Sequence, residues 1–212
     1  MDLLKRRMMM CTDKSWLIGG IKKVGKAYFS LKYKAGPETR VELDLEFGTA
    51  KTETGLGGSI IYTTKDDNKQ VFGINFGASA YQYLEGIYYW NDVSIEDGGS
   101  VKITGVDFRN KRLLLSMGYN NGDNIGSVKC GRDVFGTVSL NPKKGTCKND
   151  IILLPGFSQS DLAVVYGVKI FESDVLVRDI RPYILGSDVF MMCRKTGEVY
   201  MPVNGVFEVF TH

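Results

Sequence analysis

The chain has 212 residues, 43 % of them hydrophobic and 24 % charged, which suits one large folded domain and excludes a disordered chain. Its 27 Lys and Arg against 24 Asp and Glu leave +3, too small an imbalance for a dedicated nucleic-acid binder or a polyanion partner.

The first residues read Met1-Asp2-Leu3-Leu4-Lys5-Arg6-Arg7-Met8-Met9-Met10-Cys11. A basic cluster followed by methionines resembles the start of a signal peptide, but an apolar region of about 7–15 residues is missing, so the segment is expected to be retained. No run approaches the roughly 18 apolar residues of a membrane span, and no membrane insertion is expected. Residues 1–15 read as an arm. Leu3, Leu4, Met8, Met9 and Met10 offer a pliable apolar surface and Arg6 and Arg7 add charge, which suits an assembly contact; a frayed terminus is the competing reading.

From residue 16 the pattern is that of strands. Arg40-Val41-Glu42-Leu43-Asp44-Leu45-Glu46-Phe47 alternates polar and apolar, and period two puts Val41, Leu43, Leu45 and Phe47 on one buried face. Further strands are predicted over 58–63, 70–76, 86–90, 100–106, 113–119, 136–140, 151–154 and 164–171. Turn chemistry separates them: Asp66-Asp67-Asn68, Asp97-Gly98-Gly99, Asn120-Asn121-Gly122-Asp123-Asn124 and Asn141-Pro142-Lys143-Lys144-Gly145. Strands at intervals of about 10 residues, with helical periodicity almost absent, predict an all-β antiparallel sandwich in one domain over 16–212.

Several side-chain groups invite a chemical reading. Glu42-Leu43-Asp44-Leu45-Glu46 places three carboxylates on one strand face, as in the catalytic strand of retaining glucan hydrolases. Residues at i and i+4 are about 13 Å apart along a strand, far from the ~5.5 Å of a retaining pair, so a solvated face is the simpler expectation. Tyr88 and Trp90 share one face of a predicted strand and could stack on a sugar, or fill the core. The Asn120–Asn124 loop has oxygen ligands for calcium but one carboxylate, and reads as a turn. Cys11, Cys130, Cys147 and Cys193 form no Cys-x-x-Cys pair, so buried thiols are expected; a Cys130–Cys147 bridge would need the fold to bring them together. His212 is the sole histidine and the last residue, which removes Ser-His-Asp and Cys-His catalysis and His-ligated zinc. No cofactor is expected.

Both ends of the domain resemble a known family. Ala27-Tyr28-Phe29-Ser30-Leu31 through Thr39-Arg40-Val41-Glu42-Leu43-Asp44 resembles the opening strand pair of concanavalin A-like, laminin G-like jelly rolls. Val165-Tyr166-Gly167-Val168-Lys169-Ile170-Phe171-Glu172, followed by Val175-Leu176-Val177-Arg178-Asp179-Ile180-Arg181-Pro182, is similar to their closing signature, and 196–207 to their last strands. The sequence departs from the family at Phe190-Met191-Met192-Cys193-Arg194. Such domains recur in bacteriophage structural and tail proteins and in surface proteins of gut Bacteroidetes. The resemblance implies a non-enzymatic virion protein of a bacteriophage, a capsid decoration, head fibre or tail component, anchored by its arm to other virion proteins and to copies of itself. The alternative it implies is a carbohydrate-binding adhesin module that recognises a host glycan. In the closing signature, Val168 and Ile170 are expected on one face and Lys169 and Phe171 on the other, with Arg178 and Asp179 forming a salt-linked corner and Pro182 ending the ladder.

Overall fold

Alternation of apolar and polar residues becomes strand after strand in the computed structural model, which describes residues 19–47, 57–64, 70–77, 111–130, 132–139, 147–155 and 163–210. In chain order these strands are β1 (Gly20–Val24), β2 (Phe29–Ser30), β3 (Thr39–Phe47), β4 (Gly57–Thr64), β5 (Gln70–Gly77), β6 (Arg112–Asn120) and β7 (Asp123–Cys130). They continue as β8 (Asp133–Ser139), β9 (Ile152–Leu153), β10 (Ala163–Glu172), β11 (Val175–Leu185), β12 (Asp188–Cys193), β13 (Val199–Tyr200) and β14 (Val206–Phe210). Among the described residues there is no helix, and every strand pairing is antiparallel.

The strands form two sheets. The larger runs β13-β12-β11-β10-β3-β6-β7-β8, with β1 joining β10 to β14; the smaller is β2-β9-β4-β5. The core lies between them. Val41, Leu43 and Leu45 of β3, Leu113, Leu115 and Met117 of β6, and Val165, Val168 and Ile170 of β10 pack in one cluster with Phe29 of β2, Ile60 and Ile61 of β4, and Leu153 of β9. This is the antiparallel β-sandwich expected from the sequence, one apolar face of each sheet buried against the other. A register shift between Ser59 and Ile61 lets the adjacent Ile60 and Ile61 both be buried, which a regular strand would forbid.

Two hairpins carry left-handed turns. Asn121 and Gly122 join β6 to β7 at φ 51° and 92°, the two-residue turn that an Asn-Gly pair favours. Asp123 and Asn124, expected in a longer loop, therefore open β7. Ser173 and Asp174 join β10 to β11 at φ 47° and 63° without a glycine. That conformation costs about 1–2 kcal/mol per residue, and neighbours offset it. The Ser173 N–H donates to the Glu38 carbonyl at 3.1 Å, and the Asp174 carboxylate accepts from the Asn121 N–H at 2.8 Å. Where β3 meets β6, Gly118 sits at φ 119° with Thr39 O only 2.1 Å from the position of a Cβ, so no side chain fits there.

Some expectations need correcting. Pro182 does not end β11 but sits inside it, opposite Met191 of β12. The ladder to β10 stops at Val168 and Ile180, so Pro182 lies where β11 pairs on one side only, the situation a residue without an N–H tolerates. Arg178 and Asp179 form no corner together; neighbours in a strand point to opposite faces, and each finds its own partners. Phe190–Cys193, the departure from the family pattern, lies in β12 and pairs with β11 and β13. Cys193 is a buried thiol and Cys147 is half-buried and packed against the core, while the side chain of Cys130 lies outside the described residues. The strands predicted over 86–90 and 100–106 lie outside the described residues.

Candidate functional site: the polar face of the large sheet

Period two gives each central strand of the large sheet a second face, away from the core. On β3 it carries Arg40, Glu42, Asp44 and Glu46; on β6, Arg112, Leu114 and Ser116; on β10, Lys169 and Phe171; on β11, Asp179, Arg181 and Tyr183. Lys169 stands in register with Glu42 on one side and Asp179 on the other, so unlike charges oppose across strands. The expected split of β10, with Val168 and Ile170 in the core and Lys169 and Phe171 opposite, is present.

Asp44 is the centre of this face. Arg112 grips it with two hydrogen bonds, Nε to Oδ1 at 2.7 Å and Nη2 to Oδ2 at 2.8 Å, the parallel fork that an arginine and a carboxylate make. The same guanidinium lies 4.0 Å from the ring centroid of Tyr166. The Tyr166 hydroxyl donates to Glu46 at 3.1 Å. Burial, then the hydrogen bond and charge of Glu46, push the Tyr166 hydroxyl up to about 12, with Arg112 pulling the other way. The Arg112 guanidinium is raised above its ordinary value, chiefly by its hydrogen bond to Asp44.

A second arginine reaches Asp44 from the other side. Arg181 of β11 crosses over β10, its Nη1 coming within 3.6 Å of Asp44 Oδ2. Gly167 makes the crossing possible: a Cβ there would stand 2.6 Å from Arg181 Nη1 and 2.9 Å from its Cδ. Arg181 Nε donates to Asp179 Oδ1 at 3.0 Å, and Arg194 Nη1 lies 3.8 Å from Asp179 Oδ2. Beside them Tyr183 stacks on Phe190 with ring centroids 5.9 Å apart, its hydroxyl raised by burial.

Nearer the β10–β11 turn, Arg40 makes the same kind of cluster. It bonds Glu42, lies 3.5 Å from Asp174 and covers the Phe171 ring at 3.9 Å. Its buried Nε has no hydrogen-bond partner. The three carboxylates singled out in the sequence thus share one face, as expected, and each has a fixed partner: Arg40 for Glu42, two arginines for Asp44, and a tyrosine hydroxyl for Glu46.

Sequence reasoning did not single out Arg112, Tyr166, Gly167, Arg181 or Arg194 for this face. They come from different strands, and only the register of β3, β6, β10 and β11 brings them together. Leu3, Leu4, Arg6, Arg7, Met8, Met9 and Met10 of the expected arm, and Tyr88 and Trp90 of the expected glycan contact, lie outside the described residues.

No protein-family model matches the sequence, and no curated protein matches it. Among solved structures, the fold is similar to that of a "putative carbohydrate binding protein" from Bacteroides ovatus ATCC 8483, with a TM-score of 0.58 and 11 % identity over 92 % of this chain. The chain spans 61 % of the length of that protein. At this identity the likeness shows the fold, and nothing in the comparisons supports a bacteriophage protein.

Proposed function

We propose that this sandwich is a non-catalytic carbohydrate-recognition module that binds through the polar face of its large sheet. The observation that carries the reading is the make-up of that face. A sugar offers hydroxyl groups around a ring with apolar C–H patches, and its site needs fixed donors and acceptors beside apolar surface. Arg112, Asp44, Arg181 and Asp179 are held in place by one another, and Leu114, 36 % exposed, stands in register with Asp44. The B. ovatus likeness supports the same reading. Engagement of Glu42, Asp44 and Glu46 with fixed partners suits a binding surface better than an acid and base pair, which must exchange protons with substrate.

Affinity electrophoresis against a panel of polysaccharides tests this. The protein is expected to be retarded by at least one polysaccharide and to release no reducing sugar from it, with retardation lost in Asp44→Asn combined with Arg112→Ala. No retardation by any polysaccharide, or retardation that the double variant keeps, overturns the proposal. Sugar release abolished by Glu42→Gln would replace it with the hydrolase reading.

Attachment to other proteins of a bacteriophage particle, and to further copies of this chain, is a second proposal. It rests on the basic, Met-rich composition of residues 1–15. Deleting them is expected to leave the sandwich folded and to abolish incorporation into particles or oligomers; unchanged incorporation overturns it.

A further inference from the structure

Five ionic side chains lie in a row across the polar face in the order Arg112, Asp44, Arg181, Asp179, Arg194, linked at 2.7, 3.6, 3.0 and 3.8 Å. The signs alternate, and three cations against two anions leave a net +1. Exposure is uneven along the row. The inner side chains are 17–25 % exposed, whereas Arg112 and Arg194 at the ends are 52 % and 57 % exposed. Donors remain at both ends. Arg112 uses Nε and Nη2 on Asp44, and Arg194 stands from Asp179 at ion-pair distance, beyond hydrogen-bond range.

We infer that the glycan taken by this face is an acidic one, a uronate-bearing oligosaccharide whose carboxylates pair with Arg112 and Arg194 while the hydroxyls between them donate to Asp44 and Asp179; the inference rests on the carbohydrate-binding reading above. The planar fork of a guanidinium matches a carboxylate and is weakly hydrated, so an exposed arginine end is a better seat for a uronate than for a neutral sugar. Each carboxylate offers about four acceptor sites, so Asp44 and Asp179 keep capacity beyond their arginines. From β6 to β11 is three strand spacings and Arg194 follows β12, a fourth, so the row spans roughly 14–19 Å. That exceeds a single sugar ring and calls for an oligosaccharide. The intervening acids repel a ligand charged densely along its length, in keeping with the small net charge of the chain, and admit one whose charges are separated by hydroxyl-bearing rings.

The test uses the full chain and two polymers in which uronates alternate with neutral rings, hyaluronan and heparosan, each beside its carboxyl-reduced form, with dextran sulfate as a dense polyanion. At least one uronate polymer is expected to bind, its carboxyl-reduced form to bind at least tenfold more weakly, and salt to weaken the difference. Each substitution removes a charge-assisted hydrogen bond, so Arg112→Ala and Arg194→Ala are each expected to lose roughly tenfold or more in affinity, and the pair to abolish binding. Both side chains are more than half exposed, and an unchanged circular dichroism melting curve confirms that the variants fold. Equal affinity for acidic and reduced forms, or binding to neutral glycans alone, overturns acid selectivity and leaves the carbohydrate reading standing. Binding to no glycan at all removes both, and dextran sulfate binding that survives the alanine pair reduces the effect to unspecific charge.

Discussion

Arg178 and Asp179 are adjacent in the chain and belong to two different polar regions. Arg178 is in register with the core residue Ile170; its guanidinium lies 5.7 Å from the Tyr33 ring centroid and its Nε 3.8 Å from Glu198. Around it Tyr200 donates to Glu198 at 3.1 Å, while Tyr33 and Thr39 donate to Glu172 at 2.6 and 2.8 Å. Asp179 is in register with Lys169 and belongs to the open row. Both regions are made of arginines, acids and tyrosines. In the first, acids meet hydroxyls at the rim of the core, where Tyr200 is 1 % exposed, so the groups hold the sandwich shut. In the second, the row ends in half-exposed guanidinium groups with donors left over. Residue type does not separate the closed network from the open row; exposure and unused hydrogen-bonding capacity do.

The largest expected effect tests the frame that both regions share. Leu43→Ala, on the buried face of β3 behind Asp44, is expected to cost about 2–5 kcal/mol in denaturant titration, because a cavity remains where the side chain was. Next comes the closed network. Glu172→Ala leaves the Tyr33 and Thr39 hydroxyls without their acceptor and is expected to cost roughly 1–3 kcal/mol while glycan retardation is unchanged. Loss of retardation with full stability would reverse the assignment of the two regions.

Alkali separates them by another route. Burial and acidic neighbours raise the Tyr33 and Tyr200 hydroxyls above 10 in the fold, and Tyr166 to about 12. A group whose folded value is raised stabilises the protein fully below its unfolded value, and that stability is lost as pH climbs through the folded value. The melting temperature is therefore expected to hold to about pH 10 and to fall toward pH 12, with Tyr166→Phe removing part of the fall. A midpoint that stays flat across this window contradicts the buried hydroxyls.

Smaller effects sharpen the open region. Gly167→Ala places a methyl group against Arg181 and is expected to displace it from Asp44, weakening glycan retardation while costing about 1 kcal/mol of stability or less. Arg112→Ala is expected to be the mildest in stability, within about 1 kcal/mol for a half-exposed ion pair, and among the strongest in binding.

What the sequence disclosed follows from where its information is local. The β3 strand was legible because Arg40 to Phe47 alternates without interruption, and β10 because Val168 to Phe171 does the same. The β7 strand was not: Asp123-Asn124-Ile125-Gly126-Ser127-Val128-Lys129-Cys130 has small or polar residues in both phases, and its one signal, Asn121-Gly122, is flanked by Asn120, Asp123 and Asn124, which suit a longer loop equally well. Glu42, Asp44 and Glu46 could be placed on one face from period two alone. Their partners could not, since Arg112 is 68 residues from Asp44 and meets it only through antiparallel register. The separation of Arg178 from Asp179 was within reach, because consecutive strand residues cannot share a face in a regular strand.

One pairing at the margin of the large sheet bears on how such a unit is used. Gly20 of β1 is the register partner of Phe210 of β14, so the first and last of the described strands lie side by side and antiparallel. The start of β1 and the end of β14 therefore sit together, as the two legs of a staple do. A body with that layout can be spliced into a surface loop of an unrelated protein as a cassette, or strung between neighbours, with both joins at one edge of the sheet.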